Sequence, residues 1–250
     1  MPLRQFQGHQ MPDIKNKDKD NEYVLSFLAV RQCLGYLGLA LPLALAFGAI
    51  LVHDRIESSI SDFYYSPMSD VFVGSMAAIG VFLFTYKGYR KNPGEWISDR
   101  LVARAAGIGA VAVALIPTLP HHPRDCTFFQ CLAGVKLAAN IHLMSAALFF
   151  SMLAVFCLWM FPKTKPDKPP SAQKLRRNRI YYGCGTVLLI AMAGLLIHSA
   201  LLPEGLKEKL DAFSVIFWLE SLGVWAFGIS WLVKGEAISL LNDPEKKTKA

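Results

Sequence analysis

The chain has 250 residues, 53% of them apolar, and 26 Lys and Arg against 19 Asp and Glu give a formal charge of +7. A mean hydropathy of +0.34 excludes an ordinary soluble domain. The surplus positive charge would suggest nucleic acid in a soluble protein. Here it sits in short segments between long apolar runs, where anionic lipid accounts for it, and no nucleic-acid partner is expected.

In chain order, residues 1–24 are polar, with Lys15, Asp18, Lys19 and Asp20 intermixed, and are expected to form a disordered cytoplasmic arm. No basic stretch leads directly into a short apolar core, so the first apolar run is expected to act as an uncleaved signal anchor. Residues 25–234 are expected to form an all-α polytopic bundle of six transmembrane helices, with spans at about 30–53, 70–88, 101–120, 137–162, 180–202 and 212–233. The second and third spans are short, and each suffices if Lys87 and Arg104 snorkel to the interface. Residues 235–250 are the expected cytoplasmic tail.

Charge orients the bundle. The arm, the second and fourth connections and the tail hold 21 of the 26 basic residues. Basic residues near span ends stay cytoplasmic, which predicts a bacterial inner-membrane protein with both termini in the cytoplasm. The connection Lys163 to Arg179 is rich in proline and charge and reads as an exposed cytoplasmic linker. The third span is rich in small residues. Ala105 with Gly109, and Ala106 with Ala110, form small-xxx-small pairs that let helices approach closely. Its Gly-Ile-Gly is not a nucleotide loop, since no strand precedes it.

The outer side gathers the polar chemistry. Cys126 and Cys131 lie in one external connection, in an oxidising compartment, and are expected to be close and bonded. His53, Asp70, His142, His198 and Glu220 all fall in the outer halves of spans, with His121 and His122 nearby. Ionisable groups inside a membrane are costly and face a bundle interior or watery cavity. A polar pocket open to the outside is therefore expected, lined by Ser61, Asp62, Tyr65, Asp70, Asn140, His142, His198 and Glu220. The loop from Glu57 to Asp70 reads either as a helix cap with belt tyrosines or as a lid in which Asp62 and Asp70 serve as acid, base or ligand. Asp62, Asp70 and Glu220 are the candidate catalytic carboxylates. Zinc is possible as a cofactor, with His53, His142 and His198 as candidate ligands, but no helix presents two histidines on one face. There is no G-x-S-x-G, and no triad is legible from spacing.

Two resemblances follow from these residues. Ile60-Ser61-Asp62 and, shortly after them, Pro67, all before the second span, His142 followed by Ala146, and Glu220 followed by Phe227-Gly228 resemble the DRAM-like six-span family and uncharacterised bacterial six-span proteins of that plan. Members of the DRAM-like family act in GPI-anchor lipid remodelling. The stretch ISDFYYSPMSD resembles a segment of alkaline ceramidases and progestin/adiponectin-receptor-like membrane hydrolases, which implies a zinc hydrolase. The paired histidines of their last span are replaced here by FWLESLGVWAFG. Three functions are expected to compete. The first is a non-enzymatic membrane protein binding a lipid head group or another membrane protein through the outer pocket. The second is a metal-dependent lipid amidase or esterase. The third is a small transporter that couples protons through Glu220 and His142.

The topology has a direct test. A cysteine tag placed after Ala250 and one in the second connection are expected to resist membrane-impermeant thiol reagents in intact cells and to react after permeabilisation. Labelling of the C-terminal tag in intact cells would reverse the orientation of every site named above.

Overall fold

The computed structural model describes residues 14–53, 55–88, 91, 97–121, 125–164 and 169–243, with side chains from residue 26 onward except that of His53. The described residues are helical and contain no strand. Eight α-helices follow in order: α1 (Ile14–His53), α2 (Ser69–Thr85), α3 (Asp99–Leu115), α4 (Phe128–Ala133), α5 (Val135–Val155), α6 (Ala172–Ala200), α7 (Glu204–Asp211) and α8 (Val215–Lys234). A π-helical turn, Phe156–Met160, prolongs α5, and 3₁₀ turns lie at Ser61–Tyr65 and Ser239–Leu241.

Helix α1 begins at Ile14, so residues 14–24 are helical where an irregular arm is expected. Neither Gly nor Pro occurs between Ile14 and Gly35, and a helix without a breaker propagates into a polar stretch more readily than a new one nucleates. Residues 1–13 lie outside the described part. Ser26–Val52, Val135–Met160, Ala172–Ala200 and Val215–Lys234 are long and apolar enough to cross a membrane, which makes the chain a multi-pass membrane protein by length and composition. Helices α2 and α3 have 17 residues each, about 25 Å of rise. The connections from α3 to α5 and from α6 to α8 carry helix where loop is expected, as α4 and α7.

The six long helices close a ring. Going round it, α1 packs on α2, α2 on α3, α3 on α5, α5 on α6, α6 on α8, and α8 back on α1. Small residues set the closest approaches. A Cβ at Gly107 would lie 2.6 Å from the Phe84 backbone nitrogen and 2.7 Å from the Gly80 carbonyl oxygen on α2. One at Gly228 would lie 2.8 Å from the Gly35 carbonyl oxygen on α1. Backbones in van der Waals contact supply the packing attraction that helices in lipid need in place of a hydrophobic drive.

Aromatic side chains fill the half of the bundle away from the Ser61–Tyr65 turn. Trp231 is fully buried and meets Tyr86, Phe156, Phe161 and Phe227 edge-on or tilted, at centroid distances of 5.1 to 5.9 Å. Buried Arg31 lies with its guanidinium 4.3 Å above the Phe27 ring and donates to the Tyr86 hydroxyl at 3.2 Å. At the same end, buried Asp99 pairs with Lys163 at 3.2 Å. Charges enter this end only against an aromatic face or an opposite charge, as burial requires.

Substitution at the α2–α3 contact is expected to be costly. Gly107→Ala should destabilise the bundle by about 1–3 kcal/mol through overpacking against backbone. Gly74→Ala, where an added Cβ meets nothing within 4 Å, should change stability by less than about 0.5 kcal/mol. Thermal unfolding in detergent, followed by size-exclusion monodispersity, measures both.

Candidate functional site

The site is assembled where α3 stops. Pro117 disfavours the helical conformation for the residue before it, and Ile116 is extended at φ −103°, ψ 112°. In a continuing helix the Ile116 carbonyl would accept from residue 120, but that residue is Pro120 and has no N–H. The orphan carbonyl is taken by a side chain instead. His142 of α5 places Nδ1 2.6 Å from the Ile116 oxygen. The Thr118 carbonyl is met in the same way. The Tyr65 hydroxyl donates to it at 2.7 Å, and Gln130 Nε2 in turn donates to Tyr65 at 2.7 Å. Gln130 also closes the capping box of α4 with Thr127. The bonded Cys126–Cys131 pair, with Cα atoms 5.3 Å apart, brackets the start of α4.

The 3₁₀ turn Ser61–Tyr65 lies across this end and is tied on every side. The Ser61 hydroxyl lies 2.9 Å from His142 Nε2. The Ile60 N–H donates to the Glu220 carboxylate at 2.6 Å, and the Ser61 N–H donates to it as well. The Phe217 N–H of α8 donates to the Ser58 carbonyl at 2.9 Å, and the Ser214 hydroxyl donates to Ile56 at 3.3 Å. Phe63 packs on Phe217 with centroids 5.9 Å apart. Asp62 is buried; its amide donates to Ser59 Oγ at 3.1 Å, and its carboxylate lies 3.1 Å from His121 Nε2.

The protonation of His142 follows from its partners. A carbonyl oxygen only accepts, so Nδ1 must carry the hydrogen. In the neutral ring Nε2 then holds a lone pair, and the Ser61 hydroxyl is the donor to it.

Two cavities meet at the turn. Above it is a polar vestibule of about 390 Å³ whose lining includes Arg55, Glu57, Asp62, Tyr65, His121 and Asp211. Below it is a narrow cavity of about 20 Å³, bounded by Ser61 and Glu220 and otherwise by apolar side chains including Phe72, Val113 and Phe149. Ser61 and Asp62 are consecutive, and each lines a different cavity.

Of the residues expected to share one pocket, Ser61, Asp62, Tyr65, His142 and Glu220 lie in or on this turn. Asp70 and Asn140 do not join them: both are exposed and line neither cavity. Each sits two residues before a buried side chain, Phe72 and His142, and two residues on a helix is a rotation of about 200° to the opposite face. His198 is buried apart from the turn. Its Nε2 lies 3.0 Å from Asp211 without the alignment of a hydrogen bond, so it reaches the vestibule only through that carboxylate. The His53 side chain and His122 lie outside the described residues.

Among the described residues, no three of His, Cys, Asp and Glu come together as a metal site. Both nitrogens of His142 are already committed, and His198 is turned to Asp211, so neither candidate zinc ligand has a nitrogen in a shared ligand set.

A family model described as a protein of unknown function, DUF998, matches residues 30–233. The chain belongs to that family. The match runs from within α1 almost to the end of α8 and so includes every residue of the site. No curated protein matches the chain, and no solved structure does.

The carboxylate under the turn carries a testable load. Glu220→Ala leaves two partly buried amide donors without their acceptor and is expected to cost about 1–3 kcal/mol. Glu220→Gln keeps an acceptor oxygen and should cost less than half as much in the same thermal unfolding experiment. Equal losses would show that the carboxyl oxygen does not hold the turn.

Proposed function

We propose that this chain is a six-span protein of a bacterial inner membrane, with both termini cytoplasmic, and that its outer vestibule receives a lipid head group. The vestibule carries the reading. It is polar, it opens beside the turn that caps the bundle, and its lining holds both signs of charge: Glu57, Asp62 and Asp211 against Arg55, with the His121 ring beside Asp62. A zwitterionic head group matches such a lining, since its ammonium can meet a carboxylate and its phosphate a guanidinium. The volume of about 390 Å³ is within the range of small-molecule sites.

The six-span topology draws its support from the ring and from charge. Helices α2 and α3 stand in the closed ring on equal terms with the four longer ones. Arg104, exposed on α3, lies with its guanidinium 5.8 Å from the Phe84 ring centre, the posture of a side chain snorkelling from a short span. The connections at the vestibule end hold few basic residues, as an external face does. Four of the motif residues that suggest the DRAM-like plan hydrogen-bond in pairs here, Ile60 with Glu220 and Ser61 with His142.

Native mass spectrometry of the full chain, released from nanodiscs of equimolar phosphatidylethanolamine and phosphatidylglycerol, tests the reading. Phosphatidylethanolamine is expected to be retained preferentially. Arg55→Gln should weaken that retention about tenfold or more, the worth of a charge-assisted hydrogen bond. Equal retention of the two lipids, or a co-purifying membrane protein in place of lipid, would replace the head-group reading.

A further inference from the structure

We propose that Ser61 is a nucleophile with His142 as its base, and that it takes a short acyl group, of acetyl size, from an ester presented in the outer vestibule. The arrangement has the three parts that nucleophilic catalysis by serine requires. The hydroxyl is in reach of a base, with Ser61 Oγ 2.9 Å from His142 Nε2. The base is in the right tautomer, because the Ile116 carbonyl at 2.6 Å holds the hydrogen on Nδ1 and leaves the lone pair toward Ser61. The base is also oriented by a third group; here that is an orphan helix-end carbonyl in the place where other such sites use a carboxylate.

The cavities choose the substrate. The polar alcohol part fits above the turn, in the vestibule. The acyl part would enter the cavity below, against Phe72, Val113 and Phe149. A water needs about 10–15 Å³ by the same measure, so about 20 Å³ accepts two heavy atoms and not a fatty chain.

The chemistry balances without metal or redox partner. Ser61 Oγ attacks the acyl carbon while its proton passes to His142 Nε2. The bond from the acyl carbon to the alcohol oxygen breaks, and the alcohol leaves with that proton. Water from the vestibule then attacks the acyl-serine, giving a proton to Nε2. The Oγ–acyl bond breaks, the acid departs, and the proton returns to Oγ. The net reaction converts ester and water to acid and alcohol. The route of entry rests on the vestibule reading, but the reactivity of Ser61 does not.

Full-length protein in nanodiscs is treated with a fluorophosphonate probe and mapped by peptide mass spectrometry. The expected adduct is on Ser61 of the wild-type chain, which decides the matter whether or not the variants fold. Ser61→Ala should lose it. His142→Gln should label about 100-fold more slowly and should lose the wild-type rise of rate with pH, a signature that a merely structural histidine would not remove from a monodisperse variant. No adduct on Ser61, or a His142→Gln variant with the wild-type rate and pH profile, would overturn the assignment and leave the pair as a helix clamp. Turnover of p-nitrophenyl acetate should exceed that of p-nitrophenyl octanoate; the reverse order would overturn the acyl size. Lipid retention is read separately, so Ser61 labelling without lipid preference, or lipid preference without labelling, shows which of the two readings has failed.

Discussion

The end of the bundle that carries the Ser61–Tyr65 turn depends on the carbonyls left bare at the end of α3. Pro117 ends the helix, and Pro120 removes the one amide that could have served Ile116. In a membrane there is little water to take that place, and an unsatisfied backbone group costs several kcal/mol. The answer comes from side chains on three other elements: His142 from α5, Tyr65 from the 3₁₀ turn and Gln130 from α4. Each donor is in turn held by something else. His142 is also bonded to Ser61, and Gln130 is fixed by Thr127. One pair of prolines thereby recruits a histidine into a defined tautomer and a loop into a defined place.

The other anchor of that loop is α8. Glu220 accepts from Ile60 and Phe217 donates to Ser58, so the turn is clamped between the end of α3 and the start of α8. Those two helices are not neighbours in the ring. The clamp works only if the helices between them keep their spacing. The glycines provide that. Gly107 against Phe84 and Gly80, Gly109 against Ser145 and Phe149, and Gly228 against Gly35 bring backbones into contact, and such contacts have little room to slide. Rigid packing deep in the bundle is thus what keeps Ser61 on His142 at its rim.

The apolar runs and the clustering of basic residues were legible in the sequence, because lipid imposes them on composition directly. Cys126 and Cys131, five positions apart, were legible for a similar reason: short spacing limits their separation. Pairings were not. Ser61 and His142 lie 81 residues apart and His198 and Asp211 sit on helices of which one, α7, was read as loop; nothing in spacing joins either pair. Asp70 and Asn140 show the opposite failure. The sequence gives a residue's position along a helix, but that position alone says nothing of which face the residue takes. The neighbour two positions away does, and both neighbours are buried. A local signal for the histidine's partner did exist: a proline four residues after Ile116 marks a carbonyl that must find a donor outside its own helix.

The turn also divides the site by polarity, and the cause is geometric. In a 3₁₀ turn consecutive side chains point about 120° apart, so Ser61 can face the apolar interior while Asp62 faces the vestibule. An amphipathic molecule lying across such a boundary would put its polar part on Asp62 and Arg55 and its apolar part beneath Ser61. The junction between the two parts, which in an ester is the carbonyl carbon, would then fall at the Ser61 hydroxyl. The same short turn that lies across this end of the bundle therefore brings a polar group, an apolar space and a base within reach of one side chain.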